Sequence, residues 1–198
     1  MTSANIESPK QWPQEIAESF SPLRVLGTGG FASVMLARKT NNTNETTSSS
    51  DDGGNTNPII ASVPNKVAIK VVGCNDGTGN HEAAALYARR EIELLEQISH
   101  VGIVKLYHSW EPKRPGEEET EDEERQEDPP YGKSCPSAGV LILEYLKGPT
   151  VEKLLKHGGA LSTTFAQVVI AQVMDAMAYL HYRAVVHRDM KPDNIMGT

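Results

Sequence analysis

The stretch VVHRDMKPDNIM, residues 185–196, decides the fold. His187, Arg188, Asp189, Lys191 and Asn194 fall within it. An aspartate here can accept a hydroxyl proton and aim the oxygen. The lysine two residues on can neutralise a transferring phosphoryl group, and the asparagine can offer its carbonyl to a metal ion. Pro192 stiffens the loop between them. A charged surface turn is the bland use of the same residues, so the upstream sequence has to decide.

Moving back from that loop, residues 165–182, FAQVVIAQVMDAMAYLHY, are apolar nearly all round, interrupted by Gln167, Gln172 and Asp175. With Ser162 or Thr163 as its start, this reads as a long helix. A helix of that composition belongs inside a large core. Either it is an oligomer interface or it needs covering elements beyond those the sequence supplies. Before it, Thr150 can cap a short helix over VEKLLKHG, ended by Gly158 and Gly159. GVLILEYL, residues 139–146, reads as a buried strand, and residues 103–110 as another.

Residues 66–72, KVAIKVV, form a strand candidate in which Lys70 is flanked by Val67, Ala68, Ile69 and Val71. On an inward face its charge needs a partner, because a buried unpaired ammonium is costly. Residues 86–98, LYARREIELLEQI, place Leu86, Arg90, Leu94 and Ile98 at helical spacing with Leu95 beside them. That spacing predicts an amphipathic helix with Leu94 and Ile98 toward the core and makes Glu91 the natural partner of Lys70. A surface lysine snorkelling to water is the alternative. Further back, LRVLGTGGFASVMLAR, residues 23–38, reads as strand, glycine turn, strand. Glycines let a backbone approach phosphate oxygens and point N–H groups at them. No Gly-Lys-Ser/Thr follows, and a strand rather than a helix comes next. Both the P-loop and the dinucleotide fingerprint are therefore excluded, and an ordinary glycine hairpin stays open.

The formal charge is −7, an argument against nucleic-acid binding. Most of it is local. Residues 117–128 hold nine acids and one arginine, a net of −8, which leaves about +1 for the rest. This acidic run lies in a proline-rich insert at about 112–137. It offers a surface to a basic partner, although a solvated loop is the commoner use of such a run. A second insert, at about 41–63, is rich in Asn, Thr, Ser, Gly and Asp and is expected to be disordered. Residues 1–20 read as a flexible leader, with packing of Trp12 and Phe20 onto a domain edge as the alternative. Cys74 and Cys135 make neither a disulfide framework nor a metal pattern. No signal peptide or membrane span reads out, so the expectation is cytoplasm or nucleus, without membrane contact.

Taken in order, GTGGFASV, VAIK, RREI, ILEYL and HRDMKPDN make the sequence resemble the protein kinase family, serine/threonine type. Lys191 is the residue that marks the serine/threonine class. The resemblance implies an α+β, protein-kinase-like fold. A complete five-stranded N-lobe with one major helix and the hinge would occupy 21–146. The first helices and catalytic loop of an incomplete helical C-lobe would occupy 147–198. It implies ATP and Mg2+ as cofactors and a protein serine or threonine hydroxyl as acceptor. By motif, Leu26, Gly27, Thr28, Gly29, Gly30 and Phe31 would form the glycine-rich loop. Val34, Ala68 and Met196 would pack on the adenine. Leu143 would be the gatekeeper, with Glu144 to Leu146 as the hinge. Lys70 would hold the α- and β-phosphates and pair with Glu91. Asp189 would be the catalytic base, Lys191 the phosphate-directed lysine and Asn194 a metal ligand.

The third glycine of the loop pattern is Ala32 here, a small residue whose presence should be tolerated. In the family an Asp-Phe-Gly segment follows the catalytic-loop asparagine by roughly a dozen residues, and the sequence given stops at Thr198. The expectation is a fragment truncated after the catalytic loop, inactive by itself. A non-catalytic, kinase-derived binding module is the alternative. A small-molecule phosphotransferase fits the wording of the catalytic loop less well.

Overall fold

The computed structural model describes residues 12–29, 32–40, 62–73, 81–111 and 138–197. They divide into two compact units. One comprises the described residues up to Leu94 together with Leu106–Leu143; the other comprises Leu95–Lys105 and the residues from Glu144 onward.

The first unit is built on a five-stranded sheet. Helix α1 (Gln14–Ser19) leads directly into strand β1 (Phe20–Thr28), followed by β2 (Ala32–Lys39), β3 (Lys66–Val72), helix α2 (His81–Glu96), β4 (Leu106–Trp110) and β5 (Gly139–Glu144). The strand order is β1-β2-β3-β5-β4. β1 pairs antiparallel with β2, β2 with β3, and β4 with β5. Strand alternation gives the sheet two different faces. Val67, Ile69 and Val71 of β3 join Val140 and Ile142 of β5 in a fully buried cluster with Trp12, Ile16 and Phe20. Ala68 and Lys70 alternate to the opposite face.

Three sequence expectations change here. Residues 12–20 are no flexible leader. Ile16 and Phe20 are wholly buried, Trp110 Nε1 donates to Glu15 Oε2 at 3.2 Å, and Thr40 Oγ1 donates to the Glu18 carbonyl at 2.7 Å. Three large apolar side chains at helical and strand spacing outweigh the polar residues between them. Val63, assigned to the first insert, is buried in the same cluster. Apart from the exposed Ser62, the remainder of both inserts and of the leader lies outside the described residues. Finally, α2 does not bury Leu86 and Leu94, which are 47% and 43% exposed. Its buried face is Ala84, Ala88 and Ile92. The reason is closeness: a Cβ added to Gly139 would lie 2.7 Å from that of Ala88. A helix that near the sheet needs small residues at the contact. Glu91 borders this face and so points where Lys70 can meet it.

The second unit contains helices α3 (Val151–Gly158) and α4 (Thr163–Tyr182) and a 3-10 turn at Pro192–Asn194. Thr150 caps α3, accepting from the Lys153 N–H, and Gly159 ends it in a positive-φ conformation. Ser162 caps α4 through the Phe165 N–H. The segment 95–105 is stapled to α4 by polar contacts. Ser99 N–H donates to the Tyr179 hydroxyl at 2.9 Å, Arg183 donates to the Gln97 carbonyl, and His100 Nε2 lies 3.2 Å from Asp175. Only Ala176 and Leu180 of α4 are buried; Phe165, Val168, Ile170 and Met174 are exposed. The covering that the composition of this helix calls for is not made by the described residues. None of their helices is long and apolar enough to cross a membrane.

Candidate active site

In the first unit, β3 presents Lys70 on the face toward α2, and the Lys70 ammonium grips both oxygens of Glu91 at 2.6 and 2.7 Å. Both side chains are partly exposed. The pair therefore avoids the full desolvation cost of a buried ion pair and keeps N–H groups available to an anion. Val34 is paired with Lys70 across β2 and β3, and Ala68 is buried two residues along the strand. Leu143 is buried on β5.

The glycine hairpin supplies its own argument. Gly27 pairs with Val34, and Gly29 N–H donates to the Ala32 carbonyl at 2.7 Å. Neither glycine has positive φ, and a Cβ on Gly27 would meet nothing within 4 Å. Neither backbone strain nor internal packing calls for glycine there. Open space beside a glycine backbone is what close approach by a ligand requires. Ala32 opens β2 in register with Val72, in an ordinary strand conformation, so the alanine costs nothing locally. Leu26 and Thr28 lie on β1 beside them. Gly30 and Phe31 fall outside the described residues.

In the second unit, Asp189, Lys191 and Asn194 converge. Lys191 Nζ lies 3.0 Å from Asp189 Oδ2. Asn194 Nδ2 donates to the same oxygen at 2.9 Å and to the Asp189 carbonyl at 2.7 Å. Both bonds use the amide nitrogen, which leaves Asn194 Oδ1 as an acceptor for a cation. The hydrogen bond from Lys191, then that from Asn194, holds the Asp189 carboxyl below its ordinary pKa. The group is thus an anion at neutral pH, able to accept a hydrogen bond from a substrate hydroxyl. Among the described residues no group of three His, Cys, Asp or Glu could hold a metal. Mg2+ is characteristically held by one or two carboxylates together with phosphates and water, and Asn194 Oδ1 is a further oxygen donor of the kind such a site uses. Glu144 Oε2 accepts from the Lys105 N–H, Leu146 is half-buried, and Met196 bridges to Thr150.

Two features carry no sequence signal. Arg188 has φ 63°, a left-handed backbone that costs a non-glycine residue roughly 1–2 kcal/mol. Strain of this kind collects at functional sites. It sits immediately before Asp189, whose N–H donates to His187 Nδ1 at 3.3 Å. The second is a link from Thr150 to Asp193, legible beforehand only as a helix cap.

Residues 57–198 match the protein kinase domain family. The chain is 33% identical over 177 residues to the probable serine/threonine-protein kinase PknB of Bifidobacterium longum, covering 87% of this chain and 20% of that one. It is 39% identical over 189 residues to the probable serine/threonine protein kinase IRE of Arabidopsis thaliana, covering 96% of this chain and 12% of that one. With the CBL-interacting serine/threonine-protein kinase 24 of the same plant it shares 26% identity over 173 residues, 87% of this chain and 28% of that one. The chain thus spans less than a third of the length of each of these relatives.

Proposed function

The chain belongs to the protein kinase family, and on that premise we propose that the protein transfers the γ-phosphoryl group of ATP to a serine or threonine hydroxyl of a protein substrate. The observation that carries the reading is the triad in the catalytic loop: an ionised Asp189 held by Lys191 and Asn194. Asp189 accepts the hydrogen bond of the acceptor hydroxyl, orients its oxygen and takes up the proton as the bond to phosphorus forms. Lys191 remains beside it to balance the charge of the group in transit. Lys70, aimed by Glu91, binds the phosphates that stay behind, and the open backbone at Gly27 and Gly29 lies against them. Val34, Ala68 and Leu143 supply apolar contacts to the base. Asn194 Oδ1 would be one ligand of Mg2+, which when bound would supply positive charge to the phosphate oxygens. Most of the rate enhancement in such a reaction comes from positioning and charge neutralisation. The serine/threonine acceptor rests on Lys191 and on the names of the relatives.

The family's Asp-Phe-Gly aspartate is not among these 198 residues. A protein consisting of residues 1–198 alone therefore offers one amide oxygen to the metal, a poor site for a hard cation. Such a protein is expected to bind nucleotide weakly and to transfer little, acting at most as a binding module. One experiment tests both statements. Phosphate transfer from ATP to a generic protein substrate is measured for the full-length protein, for its Lys70→Met variant and for residues 1–198. Transfer by the first, with a loss of about 10²–10³-fold or more in the other two, is expected. Equal activity of wild type and Lys70→Met sinks the assignment; robust transfer by residues 1–198 sinks the second statement.

A further inference from the structure

Thr150 is the one buried polar side chain among the described residues. Its hydroxyl accepts from the Lys153 N–H at 3.2 Å, capping α3, and donates to Asp193 Oδ1 at 3.5 Å. Asp193 lies inside the 3-10 turn whose last residue is Asn194. The backbone on either side makes the same connection. Val151 N–H donates to the Ile195 carbonyl at 2.8 Å, Gly197 N–H donates to the Pro149 carbonyl at 3.0 Å, and Thr150 and Met196 form an antiparallel bridge. Gly148 sits so close to Gly197 that a Cβ on it would collide with the Gly197 backbone. A short two-stranded clamp therefore joins the segment 148–151 to the end of the catalytic loop. Thr150 is its one side-chain tie.

We propose that Thr150 is a positioning residue for phosphoryl transfer: through Asp193 and the 148–151 clamp it fixes the turn from which Asn194 holds Asp189. The proposal rests on the catalytic reading above. The physical case is that Asp189 is exposed. Its orientation comes from Lys191 and from Asn194, whose backbone N–H donates to the Lys191 carbonyl within the same turn. That turn is in turn anchored on a buried hydroxyl and two backbone hydrogen bonds. Serine keeps the hydroxyl; valine keeps the shape of threonine and loses both of its hydrogen bonds.

The test uses the full-length protein. Thr150→Val is expected to lower kcat about tenfold while KM for ATP stays within about twofold, and Thr150→Ser to restore kcat to within about twofold of wild type. In a double-mutant cycle with Asp193→Ala, the double variant is expected to be no slower than the slower single variant, because both changes cut one link. Gly148→Ala should slow transfer further, through the backbone half of the clamp. Additive effects of Thr150→Val and Asp193→Ala, or a Thr150→Val enzyme with wild-type kcat, overturn the proposal. Hydrogen exchange supplies a readout that does not need activity. Faster exchange at residues 189–196 in Thr150→Val but not in Thr150→Ser is expected. A change confined to the first turn of α3 overturns the proposal, reducing Thr150 to a helix cap. Wild-type protein without any transfer would sink the catalytic reading, and the exchange result would still decide whether the clamp exists.

Discussion

The two units hold their functional residues in different ways. In the first, Lys70 stands on a strand whose neighbours Val67, Ile69 and Val71 are buried against α1, and its partner stands on a helix packed through Ala84, Ala88 and Ile92. Packing on both faces of the sheet fixes the geometry. In the second, Asp189 is exposed and few apolar residues are buried. Caps, a backbone bridge and polar contacts do the positioning there. A packed core tolerates polar insertions at its edges but not loss of a core side chain; a hydrogen-bonded loop has the opposite sensitivity.

That contrast can be broken by paired substitutions. Ile16→Ala, on α1, is expected to cost about 2–4 kcal/mol in denaturant unfolding of the first unit. Ile170→Ala on α4, where the side chain is 61% exposed, should change stability by less than about 0.5 kcal/mol. Equal costs would show that α4 is covered in the protein as it exists.

A smaller effect concerns the end of α4. Ala184 takes φ 59° there, with Val185 N–H donating to the Leu180 carbonyl and Ala184 N–H to the His181 carbonyl, the pattern of a Schellman cap. Ala184→Gly removes the left-handed penalty and should raise stability by about 0.5–1 kcal/mol, seen as a higher thermal midpoint. A lower midpoint would count against this geometry.

The smallest effect is electrostatic. The folded state lowers the Asp189 pKa, so its contribution to stability is present above the unfolded value and is lost as pH falls through the folded one. Carbon NMR of the Asp189 carboxyl should show titration below the ordinary carboxylate range. In Lys191→Met the midpoint should move upward, since the Lys191 hydrogen bond is the largest cause. An unmoved midpoint would remove Lys191 from the triad.

Motifs whose chemistry depends on adjacent residues were legible in the sequence. Asp189, Lys191 and Asn194 are fixed to one another by a loop of a few residues, so their convergence could be read from spacing. Lys70 and Glu91 could be paired because an inward lysine needs an acid. The buried face of α2 could not be read, because its contact with Gly139 depends on how near the helix lies, and small residues give no periodic hydrophobic signal. Residues 12–20 hid in the same way. Trp12, Ile16 and Phe20 look scattered until a sheet face exists to receive them. The left-handed Arg188 left no trace, since its side chain says nothing of its backbone.

Phosphate transfer from ATP to a serine- or threonine-containing protein by the full-length protein, wild type against Asp189→Asn, tests the central claim most directly. Transfer by the wild type and a loss of at least about 10²–10³-fold in the variant, with nucleotide affinity little changed, is the expected result. Equal transfer by the two would contradict it.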